Sequence, residues 1–256
     1  MIKVIFFDID GTLVSHKTKS IPDSARAALK LLRDKGIKCV MCTGRHILEI
    51  DELPAHDLEF DAYITLVGQL TLDGEKRVLA RHPFTPDELE RMVALFNEKR
   101  CPMQLVEEDG VYINFINDRV RQVQEEISTS LPPLGEYSGK DVYQVVCYAD
   151  PAEAEELSPI TQGCYVTRWN AQAIDILPGG GGKVVGMKDY LKVIGADVSE
   201  TMAFGDGEND MDMLRFAGIG VAMGNAVEAA KACADYVTDH IDRDGLAKAL
   251  EHFGLI

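Results

Sequence analysis

The chain contains no apolar run that approaches the length of a membrane-crossing helix. Its opening, Met-Ile-Lys-Val-Ile-Phe-Phe-Asp, lacks the charged-then-apolar pattern of a secretory leader. Basic residues are scarce: 26 Lys and Arg stand against 42 Asp and Glu, a net charge of −16. That balance argues against nucleic acid or an anionic membrane as partner, since both require clustered cations. It also repels an anionic substrate, so a phosphate site here needs local donors or a cation to reverse the sign. A disulfide framework is not indicated either. Six cysteines in 256 residues lie mostly in apolar runs that read as strands. Cys39 and Cys42 spell a C-x-x-C, but three residues apart on a strand they point to opposite faces and read as core thiols. These absences lead to the expectation of a reduced, cytoplasmic protein.

What is present begins at residues 6 to 14, Phe-Phe-Asp-Ile-Asp-Gly-Thr-Leu-Val. Val4 to Phe7 are apolar without alternation, as in a strand covered on both faces of a parallel sheet. Asp8 and Asp10 follow, and if the strand continues, the two-residue period aims both carboxylates to one side. Such like charges repel, which a bound cation relieves. Ser20-Ile21-Pro22-Asp23 reads as a capped helix start, with Ala25, Ala28, Leu29 and Leu32 as its apolar stripe and Gly36 as its stop. Ile37 to Cys42 is a second buried strand running into Thr43-Gly44-Arg45. This βαβ unit places Asp8, Asp10 and Thr43 along the carboxyl edge of one sheet.

Ala62 to Val67 reads as a third strand, and Leu70 to Ala80 as a hairpin turned at Asp73-Gly74. The rhythm then changes. Thr85-Pro86-Asp87-Glu88 carries an N-cap, a first-turn proline and a capping acid. A second Asp-Gly turn at Asp109-Gly110, a charged helix from Asp118, a half-exposed strand over Val142 to Ala149, and strands at Cys164–Trp169 and Ala173–Leu177 follow. The expected fold class is α/β: a Rossmann-like parallel sheet with helices on both faces (residues 1–82 and 178–256), interrupted by an inserted α+β module over residues 83–177.

After this module, Gly179 to Lys183 superficially suggests a P-loop, but Val184 stands where Ser or Thr is needed, so the glycines read as a hinge. Lys183 opens a helix against the core. A short buried strand, Thr201 to Phe204, ends in Gly205-Asp206-Gly207-Glu208-Asn209-Asp210. Asp206 and Asp210 join Asp8 and Asp10 at the same sheet edge. An oxygen-rich carboxylate group of this kind suits Mg²⁺, and Thr43, Arg45 and Lys183 supply the donors that a phosphate needs beside it.

With these four blocks in place, the chain resembles the haloacid dehalogenase-like (HAD) superfamily of phosphohydrolases, and within it the Cof-type branch with a large inserted cap. Asp8-Ile9-Asp10-Gly11-Thr12, Thr43-Gly44-Arg45, Lys183, and Gly205 to Asp210 extending through Met213-Leu214 to Val221–Ala226 carry the resemblance. Two positions depart from the pattern: Val67-Gly68 replaces the usual Asn-Gly, and Val184 follows the lysine where Gly is common. The resemblance implies a phosphatase acting on a small phosphorylated metabolite, sugar phosphates first, through an aspartyl-phosphate on Asp8. Asp10 would be the proton carrier. Asp8, the Asp10 backbone carbonyl, Asp206 and Asp210 would surround Mg²⁺. Gly11, Thr43, Gly44, Lys183 and Asn209 would hold the phosphate. No motif in the cap marks the substrate contacts; Arg45, Asn114, Arg168 and Trp169 are candidates to face the cleft, and a structural role stands equally open for each. A phosphomutase and a non-catalytic phosphate-ligand binder are the alternatives. The cap is expected to close over the site on hinges near residues 82 and 178.

Overall fold

The structure is a computed structural model that describes residues 1–127 and 129–256. Two compact units emerge, one of residues 1–80 and 183–256, the other of residues 81–182.

The first unit is built on an open sheet. Its strands are β1 (Val4–Phe7), β2 (Lys38–Cys42), β3 (Ala62–Thr65), β4 (Leu70–Asp73) and β5 (Val78–Arg81). The second unit contributes β6 (Met103–Glu107), β7 (Val111–Ile113), β8 (Val142–Cys147), β9 (Tyr165–Asn170) and β10 (Ala173–Leu177). The chain then returns to the first sheet with β11 (Thr201–Gly205), β12 (Ile219–Ala222) and β13 (Tyr236–Val237). The large sheet runs β13-β12-β11-β1-β2-β3-β4-β5. β1 pairs in parallel with both β2 and β11, while β4 pairs antiparallel with β3. The order reverses at β1, so the ends of β1, β2 and β11 open onto a topological switch point.

The helices follow the same chain order: α1 (Asp23–Asp34), α2 (Ile47–Ile50), α3 (Pro86–Glu98), α4 (Asp118–Glu126), α5 (Pro151–Leu157), α6 (Lys183–Ile194), α7 (Met211–Phe216), α8 (Glu228–Lys231) and α9 (Gly245–His252). Met187, Tyr190 and Leu191 of α6 and Met213 of α7 pack on Val4, Phe6, Val40, Cys42, Ala62, Ile64 and Ala203 of the sheet. Each fully buried side chain of this size contributes about 1.5–3 kcal/mol. Gly186 of α6 is a close-approach position, because a Cβ there would stand 2.5 Å from Ile64. α1 packs on β2 and α9.

The second unit is a five-stranded antiparallel sheet, β7-β6-β8-β10-β9, with its own apolar core including Met92, Leu95 and Phe96 of α3 and Val145 of β8. β8 is buried along its whole length, whereas its alternation suggested a half-exposed strand. It lies centrally, between β6 and β10, so its polar Gln144 is also enclosed.

Local signals are realised unevenly. Thr85 caps α3 in a reciprocal box with Glu88. The start of α1 differs: Pro22 occupies the N-cap position and no side chain caps the helix, while the Ser20 hydroxyl donates to Thr18. Proline's fixed φ suits a helix entry without a side-chain cap. All six cysteines are free, with Cys39 and Cys42 fully buried. Among the described residues, no helix is long and apolar enough to cross a membrane.

Candidate active site

β1 ends at Phe7, one residue short of the first carboxylate. Asp8 still pairs through its N–H with the Phe204 carbonyl of β11 (3.0 Å), but the chain then turns. The Ile9 carbonyl accepts from Leu13 and Val14 N–H, and Gly11 adopts φ +85°. The strand thus stops before its two-residue period can set the aim of either carboxylate, and the turn after it places them instead. Asp8 is buried and receives the Lys183 ammonium at 2.6 Å. Asp10 instead accepts two hydrogen bonds from the Arg45 guanidinium, from Nε at 2.7 Å and Nη2 at 2.8 Å. This forked pair fixes both position and plane of the Asp10 carboxylate.

Gly11 is required twice over. Its φ is left-handed, and a Cβ there would lie 2.2 Å from an Asp206 carboxylate oxygen. Asp206 follows β11 and is gripped from the opposite loop by the Thr12 hydroxyl (3.1 Å). Asn225 donates to the Gly11 carbonyl at 2.7 Å, lies 3.4 Å from Asp206 Oδ2, and accepts the Ile241 N–H at 3.0 Å. Thr12 and Asn225 thus lock two distant loops around Asp206. Both lie inside the sequence blocks already recognised, yet residue type alone did not mark them as site residues.

Lys183, the first residue of α6, is fully buried and donates to Asp8 at 2.6 Å and to Asp210 at 2.5 Å. Asp210 uses its other oxygen to accept Asp206 and Gly207 N–H, each at 2.9 Å. It therefore closes the turn that presents Asp206 while orienting the ammonium. Asn209 lies on the same turn and makes no side-chain hydrogen bond to the described residues.

Thr43 is buried just past β2, its hydroxyl accepting the Arg45 N–H at 3.1 Å, with Gly44 between them. The next loop holds this segment: Val67 N–H donates to the Thr43 carbonyl (3.0 Å) and Leu66 N–H to the Arg45 carbonyl (3.2 Å). Leu66 and Val67 both have φ +53°, a left-handed conformation costing roughly 1–2 kcal/mol per L-residue. Val67 is completely buried, so it presents no side chain to solvent. Asn114, Arg168 and Trp169 belong to the second unit and have partners there. Asn114 donates to the Phe96 and Cys101 carbonyls, Arg168 to the Ala149 carbonyl, and Trp169 to Asp175.

Electrostatics single out the carboxylates. Oxygens of Asp8, Asp206 and Asp210 lie within 4.8 Å of one another. Burial, then the charge of Asp210, pushes the Asp8 carboxyl up to about 7 despite Lys183. Burial, then Asp8 and Asp210, pushes Asp206 up to about 9. Burial opposes the charge on Lys183, but Asp210 and Asp8 outweigh it and raise its pKa. One ammonium thus faces three carboxylates, and two of these hold protons more tightly than free carboxylates do. An all-oxygen, under-neutralised donor set fits a hard divalent cation.

A model of the haloacid dehalogenase-like hydrolases matches residues 5–250. YkrA of Bacillus subtilis, provisionally named a phosphatase, is 32% identical over 99% of this chain and 98% of its own. YcsE of the same organism, named as a 5-amino-6-(5-phospho-D-ribitylamino)uracil phosphatase, is 30% identical over 99% and 96%. The solved structure described as the HAD subclass IIB sugar phosphatase BT4131 superposes with a TM-score of 0.90 and 38% identity, covering 99% of this chain and all of that one. With the carboxylate cluster, the buried lysine and the sheet order in agreement, the chain belongs to the haloacid dehalogenase-like hydrolases, in their Cof-type phosphatase branch.

Proposed function

We propose that the protein is a Mg²⁺-dependent phosphatase that hydrolyses small phosphomonoesters, sugar phosphates foremost, through an aspartyl-phosphate on Asp8. The observation that carries this reading is the buried Asp8–Lys183–Asp210 chain of contacts beside Asp206. A nucleophilic carboxylate, a fixed cation and a metal-suited oxygen set occupy one sheet edge.

Lys183 holds Asp8 Oδ1 and leaves the other carboxylate oxygen for attack on phosphorus. The new Asp8–phosphorus bond forms as the bond to the leaving oxygen breaks, and Asp10 supplies that oxygen's proton. Water then attacks phosphorus, gives its proton to Asp10, and releases inorganic phosphate with Asp8 restored. The Asp8 and Asp206 carboxylates and the Asp10 backbone carbonyl would hold Mg²⁺, which when bound neutralises phosphoryl charge and lets Asp8 ionise. Asp210, whose oxygens serve Lys183 and two backbone amides, acts as support for that set. Thr43, Lys183, Asn209 and the amides near Gly11 and Gly44 receive the phosphate. Arg45 orients Asp10 through its forked hydrogen bonds.

In this reading residues 1–82 and 178–256 form the catalytic core, and residues 83–177 choose the leaving group. The sugar phosphatase likeness supports sugar phosphates. The relative named for a ribitylamino-uracil phosphate keeps larger metabolites on the same panel. Phosphate release from a panel of sugar, nucleotide and cofactor monoesters with Mg²⁺ tests the proposal. Release should disappear in Asp8→Asn. Transfer of phosphate to a second hydroxyl without free phosphate would identify a mutase, and inertness across the panel would leave a binding protein.

A further inference from the structure

Cys101 and Cys147 are 46 positions apart in sequence, yet their sulfurs stand 3.3 Å apart in the second unit. The separation is fixed by the backbone. Met103 of β6 lies opposite Cys147 of β8, the Tyr148 N–H donates to the Pro102 carbonyl at 3.0 Å, and Asn114 holds the Cys101 carbonyl at 3.2 Å. A disulfide needs its sulfurs near 2.05 Å, so closure requires about 1.3 Å of side-chain movement.

The two thiols have different surroundings. Cys147 is fully enclosed by the core, whereas Cys101 retains 9% exposure and lines a cavity of about 490 Å³. Arg100 and Arg119 line the same cavity, with Glu153 as an opposing charge. Either thiol can donate to the other across this contact, while burial holds Cys147 as a thiol and the Arg100 and Arg119 charges favour a thiolate on Cys101. The cavity-lining member thus has the character of an attacking sulfur and the enclosed member that of a resolving one.

We propose that Cys101 and Cys147 form a peroxide-sensitive modification site, closing to an intradomain disulfide. Cys101 sulfur attacks a hydroperoxide, the O–O bond breaks, and Cys101 becomes a sulfenic acid with release of water from hydrogen peroxide. Cys147 sulfur then displaces the sulfenic oxygen, forming the S–S bond and a second water. Two thiols lose two electrons and the peroxide gains them. A dithiol returns the pair to its starting state.

The intact chain, treated with hydrogen peroxide and mapped by mass spectrometry without reduction, tests this. Expected is a cross-linked peptide pair containing Cys101 and Cys147, lighter by two hydrogens and restored by dithiothreitol. The pair should react at least ~10-fold faster than Cys164 or Cys233, although both of those are more exposed. Cys147→Ser should leave a dimedone-reactive sulfenic acid on Cys101, and Cys101→Ser should leave Cys147 unmodified. The native protein alone decides the matter if a variant fails to fold. Oxidation that follows exposure, with Cys164 and Cys233 modified while Cys101 and Cys147 stay reduced, would overturn the proposal. So would a dimedone-inert Cys101 in a folded Cys147→Ser protein.

Discussion

Removal of divalent cations should make the stability of this protein fall as pH rises, and Asp8 should account for a defined share. The unfolded carboxyl titrates at 3.8, while the folded one is pushed up to about 7 by burial and by Asp210. Between those values the folded chain keeps a proton that the unfolded chain has released. Stability depends on the protons bound unfolded minus those bound folded, which is negative here, so stability declines with pH across this window. At 1.36 kcal/mol per pKa unit, a shift of this size corresponds to about 4 kcal/mol, or roughly 10 °C in melting temperature. Asp206, pushed up to about 9, extends the decline upward. Growing negative charge on an acidic chain acts in the same direction, so the comparison must be with Asp8→Asn. In chelator, scanning calorimetry from about pH 4 to about pH 8 should show the native protein losing about 4 kcal/mol relative to that variant. Excess Mg²⁺ should reverse the loss, because it binds the ionised carboxylates and releases their protons. Parallel stability curves for the two proteins in chelator would refute the reasoning.

Lys183→Met should abolish turnover and destabilise the fold by about 3–5 kcal/mol, because it strips the buried ammonium that pairs with both Asp8 and Asp210. Steady-state assay and thermal melting check the two effects. Gly11→Ala forces a Cβ into Asp206, so the Mg²⁺ concentration for half-maximal activity should rise at least ~10-fold. Arg45→Ala releases Asp10. Turnover of alkyl phosphates should fall about 10²-fold, while p-nitrophenyl phosphate, whose leaving group needs no proton, should still give a rapid burst. Loss of the p-nitrophenyl phosphate burst as well would show that Arg45 acts elsewhere. Thr85→Ala should lower the stability of the second unit by about 1 kcal/mol through loss of its cap.

The buried strands were legible because parallel-sheet strands advertise themselves as unbroken apolar runs, as Val4 to Phe7 and Met202 to Phe204 do. Sheet order was accessible only in part, through the βαβ rule that places Asp8 and Thr43 on one edge. β8 was misread because alternation reports exposure only where one sheet face meets solvent, and its polar Gln144 is buried. The separate partners of Asp8 and Asp10 were not legible, because they depend on where β1 stops and on Gly11 turning left-handed. The Asp10–Arg45 fork joins residues 35 positions apart, and no local period encodes that. Thr12 and Asn225 were missed for a related reason. Their value lies in bridging the loop after β1 to Asp206, a long-range contact without a distinctive residue type. The strain at Leu66 and Val67 runs against residue preference, since a β-branched side chain disfavours positive φ.

The most direct measurement is rapid acid quenching of the Mg²⁺-loaded protein with a radiolabelled phosphomonoester, followed by peptide mapping. The account predicts an acid-stable, hydroxylamine-labile phosphoryl group on the peptide that contains Asp8, formed and lost at rates that match turnover. Label on another residue, or steady phosphate release with no label on Asp8 at any time, would contradict it.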